Sequence, residues 1–255
     1  MLKQMKINKS ETENIPSSAC ITGLIAVVGS DGTGKSTLTA DLVKNLQQRL
    51  PTERRYLGLI SGEDGDKIKR LPFIGVWLER RLAAKSDKTQ RMSNKPPALW
   101  AALIMYGFSV WRAANLRKII RLAESGVLVI SDRFPQAEIS GFYYDGPGIG
   151  VERASGWLMT RLAASEKRLY QNMALSRPEL ILRLDVDVDT AFSRKPDHSY
   201  EELKDKISAM VRIQYNGSRI IELDARAPYD EVLNKALIAV SSVAPGVQSV
   251  NEITV

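Results

Sequence analysis

Three glycines and a lysine stand close together in VVGSDGTGKSTLT, residues 27–39, between an apolar run and a helical one. From Gly29 to Ser36 the chain reads G-x-x-x-x-G-K-S, a spacing at which backbone can close around a phosphate. The glycines allow the N–H groups to turn inward, and a helix starting at Lys35 adds the positive end of its dipole. Lys35 would reach the β- and γ-phosphates of a nucleoside triphosphate, and the Ser36 hydroxyl would ligate Mg²⁺. Gly29, Ser30, Asp31, Gly32, Thr33, Gly34, Lys35, Ser36 and Thr37 are therefore the expected holders of ATP. The bland alternative is a glycine-rich turn with an incidental lysine, which needs neither a buried strand before it nor a helix after it.

Both flanking elements are legible. Residues 24–29, LIAVVG, are continuously apolar and end in glycine, as a strand buried on both faces of a parallel sheet does. Leu38, Leu42, Val43, Leu46 and Leu50 recur at helical spacing, and Pro51 stops the helix. Further strands are expected at 55–60, 127–131, 179–186 and 219–223. Helices are expected near 74–84 and over 98–124, 151–173, 200–212 and 230–243, with loop at 135–150. Strands alternating with helices predict an α/β fold of the P-loop NTPase kind, with a parallel five-stranded sheet and helices on both faces. Residues 1–19 read as a loose polar tail, 20–244 as one domain and 245–255 as a C-terminal tail.

Composition narrows the chemistry. The 255 residues are 44% hydrophobic and 25% charged, which suits one large globular domain. A formal charge of +7 invites an anionic partner without choosing among nucleotide, nucleic acid and membrane surface. Cys20 is the only cysteine and His198 the only histidine, which excludes an internal disulfide, a Cys/His zinc site and triads that need several such residues. The longest helical stretch without charge, residues 98–111, would span only about 21 Å, short of a bilayer core. The N-terminus has no apolar segment of the signal-peptide type. The expectation is a cytoplasmic protein with a small anionic acceptor, no sequence-specific nucleic-acid partner and no transmembrane segment; a homodimer is left open.

Four stretches carry a family resemblance. GSDGTGKST looks like the phosphate loop of thymidylate kinases and their relatives, and VLVISDRF resembles that family's third strand and the Asp-Arg-aromatic motif ending it. RPELILRLDV resembles the fourth strand, and ELDARAPYDEV the fifth with the turn into the last helix. The likeness covers about residues 24–240. It implies a kinase sheet with ATP and Mg²⁺ as donor and a second anionic substrate, most simply a nucleoside monophosphate, facing it. Asp31 matches the family's aspartate near the acceptor's sugar hydroxyl. Arg133 matches the arginine on the acceptor phosphate, with Asp132 beside it at the strand end and, with Ser36, near the metal. Where the loop carries glycine, as at Gly32, the resemblance implies a catalytic arginine from a lid near 192–206, and Arg194 is the only arginine there. The residues agree with this in part, because the carboxyl ends of parallel strands face the ligand crevice. Phosphoryl transfer also needs cations over the equatorial oxygens. For Arg133 a plain salt bridge with Asp132 is the competing reading.

The acceptor side departs from the family pattern. The arginine expected in the long helix falls on or beside Trp111-Arg112, so Arg112 serves the acceptor only with a one-residue offset, with Asn115 a turn away. Tyr143 and Tyr144 in FPQAEISGFYYDGPGIG suit stacking on a base or sugar, and equally suit packing the loop onto the core. A nucleoside, a sugar or a glycan-linked group is thus the second class of acceptor. A nucleotide-driven switch is a third reading, since Asp145 to Gly148 fits D-x-x-G. Asp185, Asp187 and Asp189 alternate as in calcium loops but lack the glycine and distal glutamate, and Asp189 reads as a helix N-cap. His198 reads as a solvated lid residue.

Overall fold

Apolar runs without alternation become central strands here because helices cover both sides of the sheet. A computed structural model describes residues 18–58, 98–141 and 144–244. The five strands are β1 (Ala19–Gly29), β2 (Thr52–Tyr56), β3 (Leu128–Asp132), β4 (Ser176–Asp185) and β5 (Ile220–Asp224). All pair in parallel, in the order β2-β3-β1-β4-β5. The helices are α1 (Lys35–Leu46), α2 (Leu99–Glu124), α3 (Trp157–Ala174), α4 (Val188–Arg194), α5 (Tyr200–Arg212) and α6 (Tyr229–Ser241).

Alternate residues of the central strand serve opposite cores. Ile25 and Val27 pack with α1 and α6, whereas Leu24, Ala26 and Val28 pack with α2 and α3. This is the expected α/β fold of the P-loop NTPase kind. The strand order also sets the place of a ligand. β1 lies between β3 and β4, so connections leave its two sides in opposite directions and open a crevice at the carboxyl ends. The register brings Val27 level with Asp132, and the Arg133 amide donates to the Val27 carbonyl at 3.0 Å. The end of β3 is thereby held beside the loop that follows β1.

Several boundaries differ from the sequence reading, each for a local reason. β1 starts at Ala19, inside the stretch read as tail, and its pairing with β4 shifts register between Ile21 and Ile25. Gly23 sits there with φ +77° and donates its amide to Glu179. β2 starts at Thr52, not residue 55, because the Leu128 amide donates to Pro51 and begins the β3 pairing at once. Its charged, half-exposed residues mark an edge strand, which carries no continuous apolar run. The α3 helix starts at Trp157, since Gly150 and Gly156 both have positive φ and leave only a single tight turn at Val151–Arg153. A short α4 stands in the lid region, and its N-cap is Asp187, not Asp189: the Thr190 amide donates to Asp187 Oδ1 at 2.8 Å. The helix expected near 74–84, residues 1–17 and the tail from 245 lie outside the described residues. Among the described residues, no helix is long and apolar enough to cross a membrane.

Candidate functional site

Everything in the site hangs on a loop that only glycine can build. Gly29, at the end of β1, has φ +152°, and a Cβ there would stand 2.8 Å from the Leu184 carbonyl oxygen of β4. Gly32 (φ +84°) lies against the end of α4, where a Cβ would meet the Ala191 carbonyl oxygen at 3.1 Å. Between them Thr33 Oγ1 donates to the Ser30 carbonyl at 2.9 Å, and Lys35 Nζ donates to that same carbonyl. Lys35 is thus folded back under the loop, 7% exposed. Burial, reinforced by Arg133, pushes its amine down to about 7 against the pull of Asp31. Ser36 and Thr37 stand exposed in the first turn of α1, where the free N–H groups of a helix favour an anion.

Beside the loop, Asp132 accepts from Ser36 Oγ at 2.8 Å and from Arg54 Nη2 at 2.9 Å, both on Oδ2. Its other oxygen, Oδ1, is buried without a hydrogen-bond partner, as is Ser30 Oγ. Buried polar atoms rarely stay unpaired. Both orphans belong to the expected ATP and Mg²⁺ residues. Among the described residues no cluster of three or more His, Cys, Asp or Glu could hold a metal alone. Mg²⁺ takes one or two protein oxygens and completes its shell with phosphate and water. The Ser36 hydroxyl and the Asp132 carboxylate fit such an ion.

The opposite wall is a chain of alternating charges. Lys206 Nζ, from α5, donates to Asp31 Oδ2 at 2.7 Å, and Arg133 Nη2 donates to Asp31 Oδ1 at 3.1 Å. Arg133 Nη1 lies 3.5 Å from Asp145 Oδ2, and Asp145 Oδ1 accepts from Arg112 Nη2. Arg112 is fully buried in α2, and its remaining bonds go to the carbonyls of Leu57 and Asp145 and to the Tyr170 hydroxyl. Burial would raise the Asp31 carboxyl, but Lys206, Lys35 and Arg133 outweigh it and hold it far below the ordinary carboxylate range. Asp145 is lowered in the same way, with Arg133 and Arg112 overcoming its burial. Burial would lower Arg133, yet Asp145, Tyr56 and Asp31 raise it, so it stays charged. Among the described residues, Lys35, Arg54, Arg112, Arg133 and Lys206 face the carboxylates of Asp31, Asp132 and Asp145. That excess of positive charge suits the triphosphate expected in the loop.

Arg133 is also strained. Its φ of +71° is left-handed, a region costing about 1–3 kcal/mol for such a residue and concentrated at functional sites. Ser131 Oγ donates to its carbonyl at 2.7 Å and its amide is tied to β1, so the surroundings impose the conformation. The result turns the guanidinium toward Asp31, not toward Asp132.

The other residues singled out in the sequence are more scattered. Arg194 is exposed at the end of α4, with Nη2 on the Ala225 carbonyl at 3.0 Å and Nη1 3.4 Å from the Gly32 carbonyl. It lies against the outer side of the phosphate loop. Tyr144 is half-buried, its ring over Gly141, while Tyr143 lies outside the described residues. His198 is half-buried rather than solvated, with Nε2 3.8 Å from Asp197. Two residues hold places here that the sequence reading did not give them, Lys206 and Asp145, the second read only as the start of a D-x-x-G stretch. Lys206, 6% exposed, shares the buried face of α5 with Leu203, Ala209 and Met210, and a lysine on an apolar stripe was the available signal. For Asp145 no signal pointed to this wall, because a Gly/Pro-rich loop hides which way its residues point.

Comparison with known proteins finds relatives that match most of the chain. The chain is 72% identical over 229 residues to the "Uncharacterized ATP-binding protein YghR" of Escherichia coli strain K12, covering 90% of this chain and 91% of that protein. The same identity and coverage hold for the protein of that name in Escherichia coli O6:H1. Over 218 residues it is 44% identical to the "Uncharacterized ATP-binding protein YghS" of strain K12, covering 85% of this chain and 92% of that protein. No family model matches the chain.

Proposed function

Because the chain belongs to the family of YghR and YghS, which are named as ATP-binding proteins, we propose that it is an ATP-dependent kinase that moves the γ-phosphate to a small acceptor. The observation that carries this reading is Asp31. It sits inside the phosphate loop, and its carboxylate is held from the other side by Lys206 and Arg133. A loop that only stored a nucleotide would have no need of an oriented carboxylate at the place where an acceptor hydroxyl would stand.

In this mechanism the loop from Gly29 to Thr37 wraps the phosphates, and Lys35 leaves the Ser30 carbonyl for the β- and γ-oxygens. Ser36 and Asp132 would hold Mg²⁺, which neutralises charge across those oxygens. Asp31 orients the acceptor oxygen, Arg133 and Lys206 stand over the charge that spreads during transfer, and Arg194 would join them by leaving the Ala225 and Gly32 carbonyls. The acceptor oxygen bonds to the γ-phosphorus as the bond to the β-bridging oxygen breaks. ADP leaves with that electron pair, and the acceptor's proton passes to water. Tyr144, with Tyr143, belongs to the acceptor side, and Arg112 serves it only through Asp145. The nucleoside monophosphate implied by the thymidylate kinase resemblance is one acceptor class, and a nucleoside, sugar or glycan-linked group is the other. A switch has less support, since the loop 145–150 is buried and pinned by Glu166, which accepts from Ile149 at 2.8 Å.

The test is an ADP-release assay with ATP and Mg²⁺ over nucleotides, nucleosides and sugars. Release above the acceptor-free blank is expected for at least one class, and blank-level rates for all of them would remove the kinase reading. A pH profile adds an independent check. The kcat/KM for ATP reports the free protein, in which Lys35 loses its proton near pH 7. That parameter is expected to fall with a single-proton limb above about pH 7, while kcat stays level because bound phosphate keeps Lys35 charged. A kcat/KM profile flat from about pH 6 to about 9 would rule out Lys35 as the titrating contact.

A further inference from the structure

Resting on the kinase reading, we infer that the acceptor is an alcohol without a phosphate of its own, because Asp145 already lies where the acceptor's phosphate would have to bind. The two arginines that the resemblance put forward for the acceptor side, Arg112 and Arg133, are joined by one carboxylate. Asp145 Oδ1 accepts from Arg112 and its Oδ2 lies 3.5 Å from Arg133. Two guanidiniums around one pair of oxygens is how a protein grips a phosphate, and here the chain supplies the anion itself.

Nor is that anion free to leave. Gln136 donates to the Ile139 and Tyr144 carbonyls, and its own amide donates to the Asp145 carbonyl at 3.1 Å. Gly146 passes so close that a Cβ would stand 2.1 Å from the Ile139 carbonyl oxygen. Two residues further on, Arg153 donates to the Gly148 carbonyl at 2.8 Å, and Glu166 holds Ile149. Arg112 cannot turn to a second anion either. It is fully buried, and every nitrogen of its guanidinium is engaged with Leu57, Asp145 or Tyr170.

A phosphate arriving beside Arg133 would meet the carboxylates of Asp31 and Asp145 at once, and like charges in a partly buried site repel strongly. An uncharged hydroxyl meets no such barrier and gains acceptors for its proton on both sides. Specificity of this kind comes from a built-in repulsive group as much as from contacts to the preferred ligand.

The experiment pairs acceptors that differ only in a phosphate: thymidine with dTMP, cytidine with CMP, ribose with ribose 5-phosphate. The wild-type chain is expected to favour the phosphate-free member of the best pair by at least about tenfold in kcat/KM. Asp145→Asn keeps the shape and the bond from Arg112 while removing the charge. It should shift the ratio toward the phosphorylated member by about tenfold or more, provided its melting curve remains cooperative. If the wild type prefers the phosphorylated member, the kinase reading stands and this inference falls. If Asp145→Asn folds and leaves the ratio unmoved, Asp145 is not the excluding group and the inference falls as well. Blank-level rates for both members of every pair would sink the kinase reading and take this inference with it.

Discussion

Lys35→Ala is expected to abolish ADP release while the protein melts at a temperature no lower than the wild type. The side chain is folded inside the phosphate loop, where its Nζ donates to the Ser30 carbonyl. Its loss removes charge stabilisation of the transferring phosphate, on the order of 10³-fold in kcat or more, roughly 4 kcal/mol. Stability should move the other way. Burial and Arg133 hold Lys35 at about 7, far below its ordinary value, so the folded state disfavours the charged form that the unfolded chain carries. That penalty is full below about pH 7 and fades as pH rises toward the unfolded value, so deleting the amine relieves it at neutral pH. Saturating ATP at about 100 times Kd should add roughly 2.7 kcal/mol to the wild type, while the variant gains far less. Turnover near the wild-type rate in a folded variant would contradict the assignment of the loop.

Arg133→Ala is expected to lower kcat/KM for the acceptor reaction by about 10²–10⁴, a loss of roughly 3–5 kcal/mol of transition-state binding. The guanidinium joins Asp31 to Asp145, so its removal frees the carboxylate that would orient the acceptor and deletes positive charge beside the transferring group. ATP affinity, measured by calorimetry, should barely change, because Gly32, Gly34, Lys35 and Ser36 would hold the donor. Arg133→Lys should recover only part of the rate, since an ammonium cannot make the two-pronged contact that spans both carboxylates. If ATP affinity falls in step with turnover, Arg133 belongs to the donor side and the acceptor wall described above is misplaced.

The phosphate loop was the most legible part of the molecule because its physics is local. Gly29, Gly32, Gly34, Lys35 and Ser36 are neighbours in the chain, and their types follow from backbone conformations and a helix start that a few residues specify by themselves. The same holds for the strands flanked by helices on both faces. Burial on two sides demands an apolar run, and that demand can be read from residues 24–29 or 179–186 without their partners. The edge strand β2 was placed three residues late, since one open side relaxes the requirement that makes a central strand visible.

The acceptor wall is the opposite case. Asp31, Lys206, Arg133, Asp145 and Arg112 come from the loop after β1, from α5, from the end of β3, from the loop after it and from α2. The resemblance marked Asp31, Arg133 and Arg112, and composition and spacing paired none of them. Which carboxylate each cation meets is decided by strand order and by where helices cross the sheet, and neither has a local signature. Arg112 could be read as an acceptor contact in the sequence, and folding buries it behind Asp145. The donor half of the site was thus determined by the sequence through short-range backbone geometry. The acceptor half was decided by tertiary structure, because ion pairs between distant segments form only once the whole sheet has brought them within reach.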